Sequence, residues 1–119
     1  MRGFVLSMVL LLLAGQGVAT AQKRYLSGAE LKRLRGVYQF VWKDKHKGRV
    51  QLRADGQVLA RTGNRVDTGR WKVKGNALCV SFRTWTHGKY KCGAVARAGD
   101  GWFIGLFRKN GKPRLRFRR

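Results

Sequence analysis

On either side of the pair Gly75-Asn76, side-chain character changes at every residue: Arg70-Trp71-Lys72-Val73-Lys74 before it and Leu78-Cys79-Val80-Ser81-Phe82 after it. A period of two belongs to a strand, and Gly-Asn is a tight-turn signal. The segment therefore predicts a hairpin, with Trp71 opposite Val80 and Val73 opposite Leu78 on an apolar face and Arg70, Lys72 and Lys74 on the other. A sheet with one apolar face must cover that face, and a short chain does so by curling or closing the sheet.

The rest of the chain repeats the pattern. Val37 to Lys43, Arg49 to Ala54, Gln57 to Arg61, Gly69 to Lys74, Ala77 to Arg83, Lys89 to Arg97, Gly101 to Phe107 and Arg114 to Arg118 read as strands. Asp55-Gly56 is expected to form a two-residue hairpin with Leu52 opposite Leu59; Gly99-Asp100-Gly101 and Asn110-Gly111 are further turns. Ahead of the strands, Leu26-Ser27-Gly28-Ala29-Glu30-Leu31 reads as a helix start in which Ser27 and Glu30 exchange capping bonds, the helix stopping near Gly36. The expected fold is mostly β: a small antiparallel barrel or curled sheet of about eight short strands with one short N-terminal helix.

Residues 1–21 carry Arg2, an apolar run from Phe4 to Ala14 and then small residues to Ala21, the order of a secretory signal peptide and too short a run for a membrane span. Residues 22–119 then form one domain. Cleavage removes one of 27 basic residues, Arg2, and none of the five acids, leaving 98 residues with a net charge of +21. The basic residues are interleaved with Val, Leu, Phe and Trp, so the charge belongs to a folded surface. Arg exceeds Lys, and guanidinium is the better fork for carboxylate, sulfate and phosphate oxygens. This composition favours a binder of anionic polymers.

Cys79 and Cys92 in an exported chain are expected to form a structural disulfide, worth roughly 3 kcal/mol in the chain-entropy model. Their spacing is not that of a redox Cys-x-x-Cys pair, and two Cys with one nearby His make an incomplete zinc set. Two registers are open. If Cys79 faces Cys92 directly, Val80 pairs with Lys91 and Phe82 with Lys89; a slip by one pairs Phe82 with Tyr90 and Leu78 with Ala94 but separates the sulfurs unless a bulge intervenes.

The helix start at Leu26 to Leu31, the series Gly69-x-Trp71-x-Val73-x-Gly75-Asn76-x-Leu78-Cys79-Val80 and the pair Lys91-Cys92 resemble a family of small alphaproteobacterial periplasmic proteins of uncharacterised function. The resemblance covers residues 26 to 95. It implies a bacterial envelope location and the disulfide, and carries over no catalytic residue. This chain departs from the family in its very high basic charge and Arg-rich end.

Groups suited to catalysis are few. His46 and His87 fall in predicted turns, Asp55, Asp67 and Asp100 in or near turns where Asp bonds locally, and Glu30 in the cap. No paired carboxylates, phosphate loop, nucleophile elbow or zinc motif is evident. The chain is read as a non-enzyme needing no cofactor and no metal.

Two basic surfaces are the candidate sites. In Arg114 to Arg119, alternation sends Arg114, Arg116 and Arg118 to one face and Leu115 and Phe117 to the other. On an edge or closing strand this is a row of guanidiniums about 7 Å apart, able to track phosphates, sulfates or uronates, with Arg119 beside it. On an edge strand the same row would also block unwanted pairing. The second surface is Arg70, Lys72 and Lys74 with Arg83, Lys89 and Trp85, whose ring either stacks on a ligand or folds back over the barrel mouth. Trp42, Trp71 and Trp102 are expected in the core.

The leading expectation is an exported, disulfide-stapled β protein that binds lipopolysaccharide, acidic polysaccharide or extracellular nucleic acid, and possesses enough charge to sit peripherally on an anionic membrane surface. Its rivals are a carrier of an apolar small molecule inside the barrel, opposed by four tryptophans expected to fill the interior, and a cationic membrane-active protein.

Overall fold

The computed structural model describes residues 24–107 and 115–119. Nine strands follow one another: β1 (Arg24–Tyr25), β2 (Gly36–Trp42), β3 (His46–Leu52), β4 (Gln57–Thr62), β5 (Arg65–Lys74), β6 (Ala77–Phe82), β7 (Tyr90–Arg97), β8 (Phe103–Leu106) and β9 (Leu115–Arg118). One helix, α1 (Gly28–Lys32), lies between β1 and β2. From β2 to β9 every strand pairs antiparallel with its neighbours in sequence, and β9 pairs back onto β2. The fold is a closed eight-stranded up-and-down barrel, with β1 added beside β7 through Arg24↔Arg97 and Tyr25↔Ala96. Closure leaves the barrel strands no free edge to protect, and it sends alternate residues inward. Tyr38, Phe40, Leu52, Val58, Trp71, Leu78, Val95 and Phe117 are buried there. Tyr38 meets Phe117 edge-on at 5.3 Å, and Phe103 stacks on Phe117 at 5.1 Å.

The helix closes one end. Ser27 caps it as the sequence predicts: its Oγ accepts the Glu30 N–H at 3.2 Å, and Glu30 Oε1 accepts the Ser27 N–H at 3.2 Å. Five residues cannot hold a helix unaided. Leu31, fully buried, and Leu26 and Leu34, nearly so, anchor it in the core. The Gly28 N–H donates to Asn76 Oδ1 at 2.9 Å, and a Cβ on Gly28 would collide with the Gly75 carbonyl, so the helix start rests on the β5–β6 turn only because residue 28 is glycine. At this end the Trp71 indole N–H also donates to the Arg53 carbonyl at 2.7 Å. Among the described residues no helix is long and apolar enough to cross a membrane.

The β5–β6 hairpin has the expected register, Trp71↔Val80 and Val73↔Leu78. The β3–β4 hairpin does not. The Arg53 N–H bonds the Gln57 carbonyl at 2.9 Å, which makes the loop three residues, Ala54 to Gly56, with Gly56 at φ +85°. Leu52 therefore faces Val58, and Leu59 faces Gln51 on the outer wall. β5 also begins earlier than the sequence suggests: Gly63, at φ +56°, turns the chain so that Arg65 pairs with Thr62. Asp67 is consequently a buried strand residue and not a turn residue. Its carboxylate accepts N–H bonds from Thr68 at 3.0 Å, Thr84 at 3.1 Å and Trp85 at 2.8 Å, tying down the β6–β7 loop.

Trp102 leaves the expected core as well. The 3-10 turn Gly99–Gly101 places it ahead of β8, whose pairing starts at Phe103. There its ring is half-buried on the outside, under Arg118 at 4.7 Å and Arg116 at 5.5 Å.

Candidate functional site

β9 is a closing strand, paired on both sides, so its arginines guard no edge. Leu115 and Phe117 turn inward, and Arg116 and Arg118 stand on the outer wall. Arg116 donates to Asp44 Oδ1 at 3.1 Å. Arg119 turns away from the row: it donates to the Arg35 carbonyl at 3.2 Å and lies 4.8 Å over the Tyr38 ring. Arg114 lies outside the described residues.

The ladder extends this basic wall beyond β9. Arg118 is level with Gln39 on β2, Gln39 with Arg49 on β3, and Arg49 with Arg61 on β4; one row higher, Arg116 is level with Val41 and Val41 with Lys47. Neighbouring strands are about 4.8 Å apart, so Arg118, Arg49 and Arg61 lie along a band of roughly 15 Å. Arg49 and Arg61 face each other directly, a like-charge pair that destabilises a ladder, and neither has an ion pair among the described residues. Reading the sequence does not single out Arg49, Arg61 or Lys47. The two-residue hairpin expected at Asp55-Gly56 displaces Arg61 from Arg49 by one position and hides the pairing.

The residues of the second predicted surface lie apart from the first. Arg70, Lys72 and Lys74 lie on the outer wall of β5, four strands from β9 in either direction round the barrel, so the two basic surfaces occupy opposite walls. Lys72 Nζ sits 4.2 Å over the Tyr90 ring. At the helix end, Lys32, Arg33, Arg35 and Lys72 surround a shallow depression beside Trp71. Arg83 and Lys89 are exposed at the two ends of the β6–β7 loop. Trp85 in that loop folds back, its ring 5.0 Å from Phe82, and leaves about 39% of its surface exposed at the barrel mouth.

Cys79 and Cys92 form a disulfide and face each other directly, with Cα atoms 4.0 Å apart. The register is the direct one without a bulge: Val80 opposes Lys91 and Ser81 opposes Tyr90. Pairing stops there, so Phe82 and Lys89 do not pair; the Phe82 N–H donates instead to Thr86 Oγ1 at 2.8 Å. Lys91, level with inward-facing Val80, is thereby carried onto the lining of the barrel. The staple holds the outer side of the hairpin and fixes which lysine reaches the interior.

Four tryptophans do not fill the barrel. Trp102 is outside and Trp85 at the mouth, leaving Trp42 and Trp71 on inner positions, while Gly48, Gly69, Gly93, Gly105 and Ala60 occupy inward registers with almost no side chain. A cavity of about 1010 Å³ remains, walled largely by apolar residues. It extends from Tyr38 near the helix end to the opposite end, where Trp42, His46, Thr62, Arg65, Trp85 and Thr86 surround it. Tyr38 is 1% exposed and its hydroxyl has no hydrogen-bond partner among the described residues. Burial pushes this phenol above its ordinary value of 10.0, against the opposing charge of Arg119.

Among the described residues no three His, Cys, Asp or Glu side chains come together as a metal site. His46 is the first residue of β3, paired with Trp42, and not the turn residue the sequence suggests; His87 lies in the β6–β7 loop, and both are exposed. Glu30 is occupied by the cap and by Arg24 at 3.3 Å and Arg97 at 3.6 Å. No protein-family model, curated protein or solved structure matches the chain.

Proposed function

We propose that this chain is an exported, non-enzymatic protein that binds anionic polymers through the outer wall formed by β9, β2, β3 and β4. The observation that carries this reading is the direct opposition of Arg49 and Arg61, level with Arg118. Two arginines on directly paired positions without an acid between them repel one another. A sulfate, phosphate or uronate placed between them converts that repulsion into shared charge-assisted hydrogen bonds, so the bound state relieves a cost built into the free one. Arg118 and Lys47 extend the contact along a polymer, and Trp102 holds Arg118 from behind.

Lipopolysaccharide, acidic polysaccharide and extracellular nucleic acid all offer such anions, in that order of expected encounter for an envelope protein, and an anionic membrane surface is a further peripheral partner. A periplasmic or secreted location is supported by the signal-like first 21 residues, the Cys79–Cys92 disulfide and the resemblance to small periplasmic proteins. The wall presents exposed cations on paired strands, which favours recognition by charge spacing over recognition of sugar or base identity.

Affinity for heparin measured against salt tests the mechanism. Counterion release predicts that the logarithm of the affinity falls linearly with the logarithm of the salt concentration, with a slope of about 0.9 for each phosphate neutralised on duplex DNA and a comparable steepness on a sulfated chain. An affinity unchanged between low and physiological ionic strength overturns electrostatic binding.

A further inference from the structure

The cavity is a second site, distinct in chemistry and position from the basic outer wall. Its apolar length runs the barrel from Tyr38 to the mouth, and its volume of about 1010 Å³ is at the upper end of the range of roughly 300–1,000 Å³ usual for small-molecule sites. Water in so large an apolar space has few polar partners, which favours its displacement by an apolar chain.

The mouth is charged with one sign. Arg65, the first residue of β5, and Lys91 of β7 both reach the lining from strands on opposite sides of β6, with His46 on the rim. No Asp or Glu among the described residues lines the cavity. Asp44 pairs with Arg116 on the outer wall, and Asp67 accepts from the backbone of Thr84 and Trp85. Both cations are exposed and have no ion pair among the described residues. An anionic head on an apolar chain satisfies both regions at once.

We infer that the barrel binds one molecule of a single-chain anionic amphiphile, with its alkyl chain along the apolar interior and its carboxylate, sulfate or phosphate head between Arg65 and Lys91. Trp42 and Trp85 line the cavity and report its occupation by fluorescence.

The test is titration of the oxidised protein with straight-chain carboxylates of increasing length, each below its aggregation concentration, and with the matching primary alcohols. The expected result is saturable one-to-one binding that tightens about fourfold for each added methylene until the cavity is full. Replacing both cations, Arg65→Gln with Lys91→Gln, is expected to weaken carboxylate binding about tenfold or more while leaving the alcohols unchanged. Ala60→Phe, which pushes a ring into the cavity, is expected to shorten the longest chain accepted. If either variant fails to fold, the wild-type series decides alone. Carboxylate affinity independent of chain length means adsorption on the outer basic surface and overturns the inference. Equal affinity for carboxylates and alcohols in the wild type overturns the role given to Arg65 and Lys91.

Discussion

Arg49 and Tyr38 show how single positions in this barrel carry unmet interactions. Arg49 faces Arg61 without an acid between them, which suits a surface that awaits an anion and does not suit one built for stability alone. Tyr38 is the opposite case, a phenol buried in the core whose hydroxyl has no partner among the described residues. Its ring is well used, edge-on to Phe117 and Phe103. Tyr38→Phe keeps that packing and removes the orphaned group, so thermal unfolding is expected at an unchanged or higher temperature, with a gain of up to about 1 kcal/mol. A loss of that size in the variant would show that the hydroxyl has a partner. Neither position announces itself in the sequence, where Arg49 is one arginine among 16 and Tyr38 reads only as an apolar strand residue.

At the scale of elements, the helix start and the β5–β6 hairpin were legible because each is specified locally. Ser27 and Glu30 are three residues apart, and Gly75-Asn76 permits one tight turn between two alternating runs. The capping box also fixes an acid response. The Ser27 N–H bond, the largest influence, and the Arg24 charge hold the Glu30 carboxyl below its ordinary value of 4.5, with partial burial opposing them. A carboxylate whose folded value is depressed contributes stability that is present above its unfolded value and is lost as pH falls through the folded one. The urea midpoints of the wild type and Glu30→Gln are therefore expected to differ most above pH 4.5 and to converge as the pH is lowered below it. A constant difference across that window contradicts the role given to Glu30. The β3–β4 hairpin was not legible, since Leu52 can face either Leu59 or Val58 and remain paired with an apolar residue. Only the positive φ of Gly56 selects the three-residue loop, and with it every partner of β4 on β3. That single step determines whether Arg49 meets Arg61.

For the whole molecule, an antiparallel sheet of about eight short strands was readable from turn spacing, which left barrel and curled sheet both open; the pairing of β9 back onto β2 closes it. The empty interior was not readable. Apolar counts include tryptophans that the fold places outside or at the mouth, and they say nothing of the glycines that register directs inward. Closure likewise decides which charges act together: the β9 and β5 surfaces, both plain in the sequence, stand on opposite walls, while β9 is joined by arginines from β3 and β4. Among the 21 Lys and Arg of the described residues, Arg24, Arg53, Arg97 and Arg116 have an acidic partner. The high net charge thus makes every wall attractive to a polyanion, and a dedicated wall must be separated from this background.

Two variants with equal loss of charge make that separation. Arg49→Gln/Arg61→Gln/Arg118→Gln removes three cations from the proposed wall, and Arg70→Gln/Lys72→Gln/Lys74→Gln removes three from the helix-end half of β5, outside the proposed contacts. The salt concentration at which each elutes from heparin, in the oxidised form, is the measurement that tests the central claim most directly. The account predicts a much larger fall for the first variant than for the second. Equal falls would contradict it and assign polyanion binding to net charge spread over the whole barrel.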